Sequence, residues 1–214
     1  MSIGVKICGI TEPASLETAI EYGADWVGFV FFPRSPRFLT PAQGADLSIR
    51  MPTNGPARVG LFVKAQDADI QAALDEVPLD ILQIYDTPSR AAEIRNRFGL
   101  PVWLAYGVST RSDLPAYSDL DGLLIEARPQ IDALRPGGNG QSFDWRLTQN
   151  WHPPAPWMLA GGLTPENVSQ AIAISGAQAV DVSSGVETTP GVKSAEKIRT
   201  FIQNARSTCA RSKS

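Results

Sequence analysis

Short β-branched and aromatic runs alternate with amphipathic stretches along the whole chain, and that alternation predicts a fold. Apolar runs read as strands over 3–8, 25–32, 58–63, 80–85, 102–106, 122–126, 157–160 and 179–183. Helical patterning fills most of the gaps: from Glu12-Pro13 to Glu21, from Thr40-Pro41, from near Asp67, from Thr87-Pro88, after Thr164-Pro165-Glu166-Asn167, and over 194–205. Thr11 is expected to cap the first helix, with Pro13 in its first turn and Gly23 just past its end. The second strand carries Trp26-Val27-Gly28-Phe29-Val30-Phe31 and is apolar on both faces, as a buried parallel strand is. Two units fall short: 113–118 is too short and broken for a full helix, and 143–148 suits a helical turn. The Pro- and Gly-rich stretch 127–141 is longer than an ordinary connection, which favours a functional role.

Strand and helix alternating at roughly 25 residues per unit predict an α/β protein, a single-domain (β/α)8 TIM barrel with a reduced fifth helix. The barrel is expected over 1–205, with 206–214 as a frayed C-terminal tail. A doubly wound open sheet is the competitor. Its first βα turn would carry G-x-G-x-x-G, whereas here the turn reads Cys8-Gly9-Ile10-Thr11.

Composition removes several classes of partner. With 214 residues and a net charge of -3, the chain has no basic excess to recruit nucleic acid. Met1-Ser2-Ile3-Gly4 does not open a signal peptide, and no apolar run approaches the roughly 20 residues that span a bilayer. Cys8 and Cys209 lie far apart, a pattern suited to a reducing cytoplasm. One histidine, His152, and no clustered Cys/His spacing argue against a dedicated metal site. His152 precedes the seventh strand, at the end of the barrel away from the mouth, and is expected to be a bystander.

In such a barrel the chemistry gathers at the carboxyl ends of the strands. Those ends place Cys8, Tyr85, Glu126, Gly161-Gly162 and Ser183-Ser184-Gly185 around one mouth. Cys8 shares a strand face with Lys6, and an adjacent cation favours thiolate; a packed, inert thiol is the plainer reading. Glycine turns ahead of short helices present backbone N–H groups to an anion, although Gly161 and Gly162 also suit tight turns alone. Arg34 and Arg37 overhang the mouth from the Pro-rich loop, where a guanidinium holds a carboxylate in a planar fork; Arg37 is the stronger candidate. Cys8 and Glu126 are expected to face each other across the mouth, where one can act as base and the other as acid for proton shuttling; a plain rim carboxylate is the other reading of Glu126. Asp181 points inward on the Lys6 face, either to pair with Lys6 or to bind sugar hydroxyls.

The motifs VKICGIT, GADWVGFVFFPRSPR, LQIY, GGNGQSFDW, LAGGLTPENV and DVSSGVETTPGVK, in this order over nearly the whole chain, resemble phosphoribosylanthranilate isomerase of tryptophan biosynthesis. LAGGL alone is weak; VKICGIT with DVSSGVE and GGxGxxFDW is specific. The resemblance implies a (β/α)8 barrel, without cofactor or metal, that converts N-(5-phosphoribosyl)anthranilate to the 1-deoxyribulose aminoketose by an Amadori rearrangement. It implies Cys8 as general base, Glu126 as general acid, Arg37 on the anthranilate carboxylate, Asp181 on the sugar hydroxyls, and Gly162, Ser184 and Gly185 on the phosphate. It further implies a phosphosugar substrate, no nucleic-acid or membrane partner, and a monomer.

Two positions depart from the family pattern. Glu126 stands where an aspartate is usual, longer by one methylene, roughly 1.3–1.5 Å on single-bond lengths. Leu82-Gln83-Ile84-Tyr85-Asp86 stands where LQLHG is frequent, so Tyr85 replaces an imidazole. These changes motivate an alternative, a phosphate-ligand binding barrel with impaired catalysis. Another phosphosugar isomerase of the same fold is the other alternative. A histidine-pathway isomerase would favour an aspartate at Cys8 and a half-barrel repeat, and indole-glycerol-phosphate synthase would need strand-end lysines. Lys64 alone is near such a position.

Overall fold

The computed structural model describes residues 2–128, 140 and 142–207. Eight parallel strands close into a barrel in sequence order: β1 (Gly4–Cys8), β2 (Trp26–Val30), β3 (Ala57–Val63), β4 (Ile81–Tyr85), β5 (Val102–Val108), β6 (Gly122–Ala127), β7 (Trp157–Leu159) and β8 (Ala179–Val182). Closure comes from β1, which pairs with β2 on one side and β8 on the other; Lys6 lies level with Asp181, and Cys8 with Gly28. The helices are α1 (Pro13–Glu21), α2 (Pro41–Ser48), α3 (Asp67–Glu76), α4 (Pro88–Phe98), α5 (Val168–Ser175) and α6 (Ala195–Ser207). After β5 the chain makes only a 3-10 turn at Arg111–Asp113, the reduced fifth helix, and a second such turn spans Trp145–Thr148. A two-stranded hairpin, β9 (Glu187–Thr189) with β10 (Val192–Lys193), stands beside the mouth after β8.

The helix starts follow from local chemistry. Thr40 and Gln43 form a reciprocal capping box ahead of Pro41, and Thr87 accepts from the Arg90 N–H ahead of Pro88. Thr11 does not cap α1. Glu12 occupies that place without a side-chain cap bond, because the Thr11 hydroxyl instead donates to the Gly191 carbonyl in the hairpin, at 3.2 Å. The last helix runs two residues past the end expected for it at 205. Helix α6 continues to Ser207, and Arg206 donates to the Gly23 carbonyl and pairs with Asp25 at 3.0 Å, which holds the last turn against the α1–β2 connection. The rest of the expected tail, with Cys209, and most of the expected loop 127–141 lie outside the described residues.

Outward-facing strand residues such as Val5, Ile7 and Val27 pack under the helices. Helix α6 contributes Ile198, Phe201, Ile202 and Ala205, the i, i+3, i+4, i+7 stripe of an amphipathic helix, all buried. Each large side chain of that kind stabilises the fold by about 1.5–3 kcal/mol. Inside the barrel, Trp26 and Trp103 meet edge to face with ring centroids 5.4 Å apart and plug the amino-terminal end with Leu124 and Met158. Lys6, Gln83 and Asp181 form a buried polar layer above them, and Cys8, Tyr85 and Glu126 line the cavity at the carboxyl ends. The interior thus changes from apolar plug to ionic floor to reactive mouth.

Candidate active site

One cavity at the carboxyl ends of the strands is lined by Cys8, Arg37, Tyr85, Glu126 and Asp181, with Gly162, Ser184 and Gly185 on its far wall. Of the residues singled out for catalysis and binding, all but Arg34 therefore meet at one place. Arg34 does not line it, and His152 lies exposed ahead of β7.

Cys8 ends β1 and is a free, buried cysteine. Its neighbour across the β1–β2 ladder is Gly28, and a Cβ there would come within 2.9 Å of the Cys8 sulfur and 3.2 Å of Lys6 Nζ. The glycine in the otherwise bulky second strand clears the volume that the thiol and the ammonium occupy. Two residues back on the same face, Lys6 is fully buried and donates to Asp181 Oδ1 at 2.9 Å. Of the two readings open for Asp181, the ion pair with Lys6 is formed, and Asp181 still borders the cavity. Burial works to lower the Lys6 pKa, but the charges of Asp181 and Cys8 outweigh it, so Lys6 remains an ammonium.

Lys6 favours the Cys8 thiolate without outweighing burial. Burial pushes the Cys8 thiol above its ordinary range; Lys6 and Lys193 pull it back, Asp181 adds to the rise, and the net direction is upward. The free site holds a thiol whose anion has two cations near it.

Glu126 lies near the end of β6 and is buried. Burial pushes its carboxyl up to about 8; the nearby Tyr85 hydroxyl and the charge of Lys6 pull down, and Asp181 pushes up. At neutral pH it is a carboxylic acid with a proton to give. Tyr85 is carried well above its ordinary value by burial and by the neighbouring charges of Glu126, Cys8 and Asp181, so the phenol keeps its proton.

Arg37 borders the same cavity but is not a free fork. Its Nε and Nη2 donate to the two carboxylate oxygens of Glu187 at 2.6 and 2.8 Å, and Lys193 Nζ donates to Glu187 Oε1 at 2.8 Å. This buried Arg37–Glu187–Lys193 cluster joins the PRSPR loop to the hairpin, and no described residue takes Arg37 Nη1. Burial works to raise Glu187, but bonding to Arg37 and the charge of Lys193 win and hold it below its ordinary range. Burial pulls Lys193 down, with Glu187 opposing. Lys193 also donates to the Ser183 carbonyl at 3.0 Å, while Ser183 Oγ donates to the Cys8 carbonyl at 3.1 Å, so the cluster braces the strand end that carries the thiol. Reasoning from sequence missed Glu187 and Lys193. Their signal was available: two opposite charges in a short glycine-containing hairpin directly after a barrel strand.

The far wall is backbone. Gly161 and Gly162 both have positive φ, 81° and 65°, and Asn167 ties their turn by donating to the Gly162 carbonyl at 2.9 Å. Ser184–Val186 form a 3-10 turn after β8. A Cβ on Gly185 would fall 1.8 Å from the Leu163 carbonyl oxygen, so the two turns approach as only glycine permits. Among the described residues, no group accepts from the N–H groups of Gly162, Ser184 or Gly185. Backbone N–H groups without an internal acceptor on a cavity wall are of the kind that can bind an anion. No cluster of His, Cys, Asp or Glu among the described residues is arranged to hold a metal ion, and no helix there is long and apolar enough to cross a membrane.

Comparison with known proteins gives a consistent result. The sequence profile of N-(5'phosphoribosyl)anthranilate (PRA) isomerase matches residues 5–204. The N-(5'-phosphoribosyl)anthranilate isomerase of Paracoccus denitrificans is 53% identical over 211 residues, covering 96% of this chain and 98% of the relative. A phosphoribosyl anthranilate isomerase solved with reduced 1-(o-carboxyphenylamino)-1-deoxyribulose 5-phosphate superposes with a TM-score of 0.82 at 34% identity, covering 96% of this chain and 99% of that one. Monomers generated from the dimeric enzyme of Thermotoga maritima superpose with a TM-score of 0.81, with the same identity and coverage.

Proposed function

The chain belongs to the N-(5'-phosphoribosyl)anthranilate isomerase family, and we propose that Cys8 as base and Glu126 as acid divide the proton transfers of its reaction. The reaction is the Amadori rearrangement of N-(5-phosphoribosyl)anthranilate to 1-(2-carboxyphenylamino)-1-deoxyribulose 5-phosphate, a step of tryptophan biosynthesis. The observation that carries the assignment is the opposite character of two groups on one cavity: a carboxyl kept protonated to about 8, and a thiol with two ammonium groups beside it.

Glu126 gives its proton to the furanose ring oxygen; the ring C–O bond breaks and the anilino nitrogen supplies the electrons, leaving a protonated imine. Cys8, as thiolate, takes the proton from C2, and those electrons drain to the imine nitrogen to give an enolamine. Tautomerisation places a proton on C1 and releases the one on the C2 oxygen, which yields the ketone. The cationic imine lowers the cost of the thiolate next to it, so the base is strengthened at the step that needs it. Lys6 holds that charge from below, fixed by Asp181.

The remaining assignments follow the same cavity. The free N–H groups of Gly162, Ser184 and Gly185 suit the phosphate, whose binding is remote from C2 and positions it against the thiolate. Arg37, clamped by Glu187, is left with Nη1 for the anthranilate carboxylate, and Asp181 can accept from sugar hydroxyls through the oxygen that Lys6 does not take. A monomer in the cytoplasm completes the reading, supported by the free thiol and by exposed large apolar side chains (Phe38, Ile49, Tyr117 and Val192) on separate elements. Loss of phosphoribosylanthranilate fluorescence on adding purified protein tests the function. Turnover supports it, whereas tight product binding without turnover would leave only a ligand-binding barrel.

A further inference from the structure

The Arg37–Glu187–Lys193 cluster closes a ring on the residue that carries the thiol. The Lys193 side chain is fully buried, and its three N–H groups each have an acceptor: Glu187 Oε1 at 2.8 Å, the Ser183 carbonyl at 3.0 Å and Ser183 Oγ at 3.3 Å. Because Ser183 Oγ accepts from Lys193, its own proton goes to the Cys8 carbonyl, 3.1 Å away. On the other side Glu187 clamps the Arg37 guanidinium, and its Oε2 also accepts from the Gly191 N–H at 3.2 Å. The stem of Arg37 then returns to the end of β1. A Cβ on Gly9, the residue after Cys8, would fall 2.5 Å from Arg37 Cδ, so the arginine lies against the backbone that follows the thiol.

We propose that Lys193 is a positioning residue that couples the carboxylate anchor to the base. Through Glu187 it holds Arg37, and through Ser183 it holds the strand end that carries Cys8. A substrate carboxylate seated on Arg37 thereby brings C2 to the sulfur. The inference rests on Cys8 being the base and on Arg37 binding the carboxylate. Binding energy from a group remote from the reacting carbon is expressed in the chemical step when anchor and base are held rigidly to each other. Among the described residues of the ring, Lys193 bonds to both arms. Its removal leaves the Arg37–Glu187 pair with both of its bonds, so no buried carboxylate is orphaned.

The test crosses wild type and Lys193→Met with two substrates, N-(5-phosphoribosyl)anthranilate and N-(5-phosphoribosyl)aniline, which lacks the carboxylate. In wild type, loss of the carboxylate should raise KM and also lower kcat by about 10- to 100-fold, as truncation of a positioning group does. Lys193→Met should lower kcat on the full substrate by about tenfold, and in that variant the carboxylate should be worth less than about threefold in kcat. Ser183→Ala, which cuts only the arm to Cys8, should lower kcat with KM near the wild-type value. Added to Lys193→Met it should cost nothing further, and crossed with the same two substrates it gives the same readout without touching a buried charge. Losses that multiply in these comparisons, as a merely structural lysine would give, would overturn the inference, as would wild-type kcat in both single variants. Equal kcat and KM on the two substrates in wild type would overturn the Arg37 assignment beneath it, and wild-type kcat in Cys8→Ser the base assignment; both are separately visible.

Discussion

The Lys6 ammonium lies 2.9 Å from the Asp181 carboxylate, sealed inside the barrel one side-chain layer beneath the Cys8 thiol. Neither partner of such a pair is easily removed, since each would leave the other as an uncompensated buried charge. Its effect is to keep a positive charge under the sulfur at any pH where the enzyme works. That charge does not make a resting thiolate, because burial of Cys8 outweighs it.

This ordering sets the pH dependence. The base, Cys8, sits above its ordinary 9.0, and the acid, Glu126, at about 8. The productive form, thiolate with carboxylic acid, is a minor species of the free enzyme. Its population grows about tenfold per unit from about pH 6.5 to about 8, then levels until Cys8 itself titrates. We predict that kcat/KM follows this course. A profile that is flat or falling below pH 8 would contradict the ordering.

Glu126 also costs stability. Unfolded, its carboxyl ionises near 4.5; folded, it holds the proton to about 8. Between these values the folded state binds the extra proton, so stability falls as pH rises, by about 5 kcal/mol in all on the linkage relation, and changes no further above 8. Glu126→Gln removes the titration. Its Tm advantage over wild type should widen by several degrees from pH 6 to pH 8.5, on the usual scale of about 2–4 °C per kcal/mol. A constant difference would mean that Glu126 is not perturbed by burial.

Glu187 holds Arg37 through both carboxylate oxygens, at 2.6 and 2.8 Å. Glu187→Gln offers one acceptor instead of two and leaves Arg37 and Lys193 uncompensated. We expect a loss of about 3 kcal/mol, the scale for opening a buried ion pair. The folded variant should show a KM raised by about tenfold, with kcat changed less, since Arg37 acts in binding. Unchanged KM in thermal melts and kinetics of the same sample would free Arg37 of that role.

Gly185 permits the contact between the two phosphate turns. Gly185→Ala drives a Cβ to 1.8 Å from the Leu163 carbonyl oxygen, and backbone must move. Inorganic phosphate should then inhibit at least about tenfold more weakly, the loss of roughly one charge-assisted hydrogen bond. Wild-type inhibition would place the phosphate elsewhere.

Strand order, closure and the short fifth unit were legible because buried parallel strands read as apolar runs between capped helices, as Thr40-Pro41 and Thr87-Pro88 show. Cys8, Glu126 and the glycine turns were legible because the fold puts strand ends at one mouth. Thr11 misled because capping propensity is local, whereas its hydroxyl found a partner in the hairpin 180 residues away. Glu187 and Lys193 were overlooked for a related reason: nothing in a short charged hairpin says that it folds inward over a loop from β2. The two departures from the family pattern, Tyr85 and Glu126, looked independent in the sequence and line one cavity in the fold.

The most direct test of the acid–base pair is single-turnover kinetics of Cys8→Ser and Glu126→Gln, following the loss of substrate fluorescence under saturating enzyme. The account predicts that each variant binds substrate and that each loses about 10²- to 10⁴-fold in the chemical step, the usual worth of a general acid or base. Either variant turning over at the wild-type rate would contradict it.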